Sequence, residues 1–515
     1  MRFAVFMGVL LALVGFAMAW PDRIGITGHE GDLFHMIDAA LRLADGEIPH
    51  LDFMTPLGIL SITPMAWFMS LGFIGGKAAL LSNLLVALLL APLIWWVGYS
   101  RLAGRTQFVF GAAMIILCSA LVYGGSIPTT SLSMFYNRWC WALVFCILVA
   151  ILWPARVKEP IWVLGLIIGL GLSILALTKM TYFITFVLPI VVILLAQKRW
   201  AVLGVVVATG AIVLAVTSYV FGIAFWQAYA KDLLQVALHS ERGQPGVDLT
   251  STLSSPPFVA GSVALVGAVI WLRKTGREAL GLYLLLLAPA FVLVTWQNWG
   301  NDPKWLFLVG LLVVSNLPQA GKAREVGLVI ASIAFTVLAP SMVSLTTSLG
   351  KTLSTDWTTF TQITPSGPIS DIWIPTVRAE DSYILTPIEG LPREEPLRVF
   401  NGVTLPDCRL REGLIRIVQS YLDGLATLPE TQGQGVLLAD LVNMIPLMSD
   451  FPRLEAGAPW YYGSDPGFAD AEYVLIPKCP LRPYSRTKAL DALEEGNIPL
   501  ELVLETPQMF LFAVR

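Results

Sequence analysis

Long apolar runs separated by short polar turns dominate positions 1–349 of the chain, and after Leu349 the runs shorten abruptly. A helix needs roughly 17 to 25 apolar residues to cross the hydrocarbon core of a bilayer. By that measure the chain has eleven predicted spans, at 3–20, 78–99, 107–123, 139–153, 160–178, 180–196, 201–222, 257–272, 279–296, 304–318 and 326–348. Beyond 350, short apolar stretches at 435–439, 473–477 and 508–514 read as buried strands. Helical periodicity at 410–425 and 486–495 lies between them. The expected architecture is an α-helical polytopic membrane domain over 1–349 and a small α/β domain over 350–515.

Lys and Arg orient the spans. With the N-terminus inside, every inner turn is basic: Arg101 and Arg105, Arg156 and Lys158, Lys198 and Arg199, Arg273 to Arg277, Lys322 and Arg324. The outer turns are long, acidic or rich in Pro and Gly. Counting Pro56 to Phe73 as a further span would reverse all later turns, so that segment reads as a membrane-skimming helix interrupted near Pro64. Met1 to Ala19 also resembles a signal peptide ending in Ala17-Met18-Ala19, but cleavage would strip the following loop of the helix that positions it, so retention as an anchor is expected. An odd number of spans places the terminal domain outside. There Cys408 and Cys479 are a candidate disulfide, while Cys118, Cys140 and Cys146 fall within spans.

Composition agrees with this reading and excludes others. Hydrophobic residues make up 56% of the chain and charged residues only 13%, with a formal net charge of -3, far from the roughly one quarter charged residues of soluble domains. No basic run suited to nucleic acid, no zinc-type His/Cys spacing, no phosphate-binding Gly-x-x-x-x-Gly-Lys loop and no Gly-x-Ser-x-Gly elbow occurs.

The chemistry concentrates in the first outer loop, about 21–77. It carries Glu30-Gly31-Asp32, then an amphipathic helix with Phe34, Ile37, Leu41 and Ala44 on one face and His35, Asp38, Arg42 and Asp45 on the next, then Gly46 to Phe53. Such a helix is expected to lie on the membrane surface with a solvated Asp38–Arg42 pair. Carboxylates beside a span exit are costly unless they face water, a cation or a substrate, which singles out Asp32 and Glu30. Asp52, between Pro49 and Pro56, fits either a substrate-binding role or the ordering of a turn. Cations at outer span ends, Arg138, Lys179 and Lys304, fit either phosphate binding or snorkelling to headgroups. His239, Glu241 and Arg242 sit in a long outer connection.

An outer acidic pair after the first span, an amphipathic helix, Gly46-x-x-Pro49-x-x-Asp52-Phe53, a skimming helix and a span ending at Arg101 together resemble the GT-C class of membrane glycosyltransferases. The similarity is greatest to bacterial relatives of protein mannosyltransferases and aminoarabinose transferases; it covers residues 1–200 in detail and the later spans in outline. The resemblance implies transfer of a sugar from a polyprenyl-phosphate donor to a glycan, lipid or protein acceptor at the periplasmic face of a bacterial inner membrane. It implies Asp32 as general base with Glu30 assisting it, and a divalent cation, magnesium or manganese, on Glu30 and Asp32 if a metal is used. Two other classes fit a polytopic chain: a lipid-linked polysaccharide polymerase or ligase, whose key arginines lie in late outer loops, and a transporter, which should place charges at mid-membrane.

Overall fold

In a computed structural model of the chain, the described residues are all except 125, 127, 239–247, 298–301, 381–382, 389–396, 464–466 and the side chain of Glu380. Among the described residues of 1–349 the long apolar runs are all helical. Among the described residues, eight helices are long and apolar enough to cross a membrane: Arg2–Ala19, Gly75–Arg101, Phe135–Leu152, Ile161–Thr178, Trp200–Phe221, Pro256–Lys274, Glu278–Gln297 and Lys322–Leu353. Three further apolar helices occupy the remaining predicted spans but are shorter: Arg105–Ser119, Met180–Ala196 and Leu306–Ser315. At 1.5 Å per residue they are about 22, 25 and 15 Å long against a core of roughly 30 Å. Hydropathy counts apolar residues and does not see where a helix ends: Ala120 and Trp305 are apolar yet lie in flanking turns.

Phe135–Leu152 is apolar on every face and buried along its whole length, as expected for a helix enclosed by others. Ile161–Thr178 and Trp200–Phe221 pack closely through glycine. A Cβ at Gly165 would lie 2.5 Å from Val205, and one at Gly169 would lie 2.7 Å from Thr209. Small residues four apart let two helix backbones approach where lipid supplies no hydrophobic drive.

Two pieces of the first loop depart from expectation. Pro64 starts the helix Thr63–Ser70 rather than interrupting one, because the first turn needs no N–H from it. The amphipathic helix Glu30–Ala44 does not present a solvated stripe. His35, Asp38 and Arg42 are all buried, and Arg42 donates to the Leu454 carbonyl at 2.9 Å and to Glu47 at 2.8 Å, with its Nε 3.4 Å from Asp38. The terminal domain covers this face, which a local hydrophobic pattern cannot reveal.

Residues beyond 350 attach to the loop through backbone pairing. Strand Ile24–Gly25 runs parallel to Ile372–Pro375, which pairs antiparallel with Phe360–Gln362 on its other side. Asp371 accepts the amides of Gly76 and Lys77 at 2.9 and 2.6 Å, capping the N-terminus of Gly75–Arg101. A four-stranded sheet follows, ordered Leu500–Glu505, Met509–Val514, Tyr473–Pro477, Val436–Leu438, with only the last pair parallel. Helices Leu414–Leu425 and Pro483–Glu495 bury Ile417, Val418, Leu490 and Leu493 in the same core as Val474, Leu475 and Phe512. The periodicity at 410–425 therefore spans a strand end, Cys408–Glu412, as well as a helix. Cys408 and Cys479 are joined by a disulfide with Cα atoms 4.8 Å apart.

Candidate functional site

Helix Glu30–Ala44 begins at His29, whose φ of 64° turns the chain sharply from the paired strand into the helix. Glu30 and Asp32 both fall in the first turn, where the partial positive charge of the unsatisfied amides favours carboxylates. Glu30 is buried and bidentate to Arg378: Nε lies 2.7 Å from Oε1 and Nη2 lies 2.9 Å from Oε2. Arg378 sits on the short helix Thr376–Glu380, directly after the strand that pairs with Ile24–Gly25. The hydrogen-bonded carboxylate raises the Arg378 guanidinium above its ordinary range.

A cleft of about 280 Å³ opens between this helix start and the terminal domain. Glu30, Asp32, Arg378, Arg411, Glu412 and Arg482 line it, with Trp460 and Leu441 as apolar walls. Arg411 and Arg482 are exposed and have no ion-pair partner among the described residues. One rim of the cleft is held by Asp440, which accepts the amides of Leu441, Leu481 and Arg482 at 2.7, 2.5 and 2.9 Å. Burial pushes the Asp440 carboxyl up to about 6 against the pull of those three donors.

The cations expected from span ends are elsewhere. Arg138 is buried and donates through Nη1 to Val122 O at 2.5 Å and through Nη2 to Ala120 O at 2.6 Å. Lys304, also buried, donates to Gly124 O at 2.5 Å. Both hold the backbone of one loop. Lys179 lies over the Tyr136 ring at 5.1 Å. None of the three is among the residues lining the cleft. The loop they support does reach the site from behind: His29 stacks on Tyr123 at 3.8 Å, and the Thr27 amide donates to Thr130 O at 2.9 Å.

Asp52 is exposed and accepts the Ile48 amide at 2.6 Å, which closes the turn after Gly46. A buried polar pair of this region is instead His50 and Asp232. His50 Nδ1 lies 2.8 Å from Asp232 Oδ2, its ring stacks on Tyr229 at 4.3 Å, and Asp232 also accepts the Thr55 amide at 3.3 Å. This pair ties the Gly46 to Phe53 turn to helix Ala224–Leu238. His239, Glu241, Arg242 and the turn residues 298–301 lie outside the described residues.

Sequence reasoning missed Arg378, Arg411, Arg482 and Asp232. Their charges lie hundreds of positions from the first loop, or within an amphipathic helix, and no local spacing connects them to it. For a metal, the donor set is poor: among the described residues no group of three or more His, Cys, Asp or Glu comes together, and Glu30 commits both oxygens to Arg378. No family model, curated protein or solved structure matches the chain.

Proposed function

We propose that the chain is a GT-C-like membrane glycosyltransferase that moves a sugar from a polyprenyl-phosphate donor to an acceptor hydroxyl at the periplasmic face of a bacterial inner membrane. The observation that carries the reading is Asp32 in a cleft with two cations, Arg411 and Arg482, that have no carboxylate partner among the described residues. In this scheme Asp32 takes the acceptor proton as the hydroxyl oxygen attacks the anomeric carbon from the face opposite the phosphate. The carbon–phosphate-oxygen bond breaks with its electron pair on the phosphate, and configuration inverts. Arg411 and Arg482 then stabilise the departing phosphate, since a guanidinium fork matches two phosphate oxygens. Glu30, fixed by Arg378, acts as a positioning charge.

Chain parity supports the placement of the spans. Pairing of Ile24–Gly25 with Ile372–Pro375 puts both segments on one side of the membrane, which requires an even number of crossings between them. Among the described residues the long helices after the first one number seven, so this reading needs an odd number of the shorter helices to cross as well; eleven spans, with all three crossing, meet that condition. Local thinning of the bilayer around a short helix absorbs such mismatch at modest cost.

A second reading is favoured by one observation: Arg411 and Arg482 belong to a late outer segment, the arrangement expected of a lipid-linked polysaccharide polymerase or ligase. The two readings separate by donor. Purified protein in proteoliposomes should release polyprenyl phosphate from a polyprenyl-monophosphate sugar, and Asp32→Asn should lower the rate at least a hundredfold with insertion unchanged. Full activity in that variant removes Asp32 from the mechanism, and turnover only of pyrophosphate-linked glycans selects the second reading.

A further inference from the structure

A second polar cleft lies at the other end of the helices. Helix Gly75–Arg101 runs from the Asp371 cap to Arg101 over 27 residues, about 40 Å, so its two ends mark opposite faces of the membrane part. Beside Arg101 is a cleft of about 380 Å³ lined by Arg101, Glu159, Lys198, Arg199 and Trp200, with Ile161, Leu164 and Val202 as apolar walls. None of these residues takes part in the transfer scheme.

Three features converge there. First, charge is unbalanced: three cations face one carboxylate, and Glu159 already receives Arg101 Nη2 and, at 2.9 Å, Trp96 Nε1. Burial, and after it the neighbouring Arg101 charge, push the Arg199 guanidinium below the ordinary range against the pull of Glu159. Second, Arg101 is only 4% exposed, and although Nε donates to Ala150 O at 3.0 Å, its Nη1 is buried without a hydrogen-bond partner. A buried guanidinium N–H left unsatisfied is costly. Third, helices Ile161–Thr178 and Trp200–Phe221 both begin at this cleft, and the Gly165–Val205 and Gly169–Thr209 contacts hold their starts side by side. Unsatisfied amides at two helix N-termini add positive potential.

We propose that this cleft binds a phosphate ester, with the Arg101 guanidinium and the Lys198 and Arg199 side chains as its cationic partners. The same chemistry is offered by the headgroup of an anionic phospholipid and by a free phosphate ester. The exposed apolar side chains of Ile161 and Trp200 continue the cleft toward the bilayer, which suits the acyl end of a lipid.

Native mass spectrometry of the full-length protein tests this with phosphatidylglycerol, net-neutral phosphatidylcholine and glycerol phosphate as probes. Wild type should retain one phosphatidylglycerol under conditions that strip phosphatidylcholine. The Lys198→Ala, Arg199→Ala double variant should bind it about tenfold more weakly, and Arg199→Lys should keep most of the affinity. Displacement of the bound lipid by glycerol phosphate assigns the site to free esters; retention against it assigns a lipid headgroup. Equal phosphatidylglycerol retention by wild type and the double variant, or equal retention of phosphatidylcholine, overturns the proposal. Should the double variant unfold, Lys198→Ala alone, at an exposed position, carries the same comparison.

Discussion

Glu30 and Asp32 stand two residues apart in one helical turn, yet their surroundings differ. Glu30 is buried against Arg378, whereas Asp32 is only half-buried at the cleft. Replacing Arg378 with Ala leaves a buried carboxylate without its fork; the partner is half-exposed, so the stability loss should be about 1–2 kcal/mol, read as a fall in thermal midpoint. Arg378→Lys should recover little of the transfer rate, because a point charge cannot engage both oxygens. Asp440 gives a pH signature. Its carboxyl stands at about 6 in the fold and near 4 in an unfolded chain. Between those values the native state holds more protons, so this group's contribution to stability falls as pH rises from about 4 to 6 and is level above. The thermal midpoint of wild type minus that of Asp440→Asn should therefore shrink across that window; a widening gap would contradict the assignment. Of the residues at the cleft, the sequence made Glu30 and Asp32 legible, because charge at a span exit is expensive. Arg378 left no such mark, since ion pairing across some 350 positions has no periodicity, and Arg411 and Arg482 reach the cleft only through the fold of the terminal domain.

Helix Glu30–Ala44 shows how far an element can be read on its own. Its length and apolar face follow from spacing, and its start from the acidic first turn. The fate of the polar stripe does not, because Asp38 and Arg42 are four apart whether water or protein covers them. Here the 454–458 segment covers them, with Arg42 Nη2 on Leu454 O and within 2.9 Å of where a Gly457 Cβ would lie. Arg42→Ala should strand two carboxylates and a carbonyl, costing about 3–5 kcal/mol. Limited proteolysis should then cut between 350 and 360 faster than in wild type, and unchanged protection would show that the terminal domain docks without this network. The short helices Arg105–Ser119, Met180–Ala196 and Leu306–Ser315 were legible as apolar runs but not as short ones.

For the whole molecule, the strand pairing at Ile24–Gly25 and the Asp371 cap make the terminal domain part of the site. The Cys408–Cys479 bridge closes a segment 71 residues apart, a constraint worth up to about 4 kcal/mol in the chain-entropy view. Denatured, unreduced protein should show three reactive thiols, rising to five after reduction; five thiols before reduction would exclude the bridge.

The central claim is that the first loop and the terminal domain share one face while the basic turns lie on the other. An impermeant thiol reagent applied to intact cells tests it with single cysteines placed at the exposed positions Asp22, Arg411 and Lys198. Cysteines at 22 and 411 should label at once, and one at 198 only after permeabilisation. Labelling at 198 with protection at 22 and 411 would contradict the account.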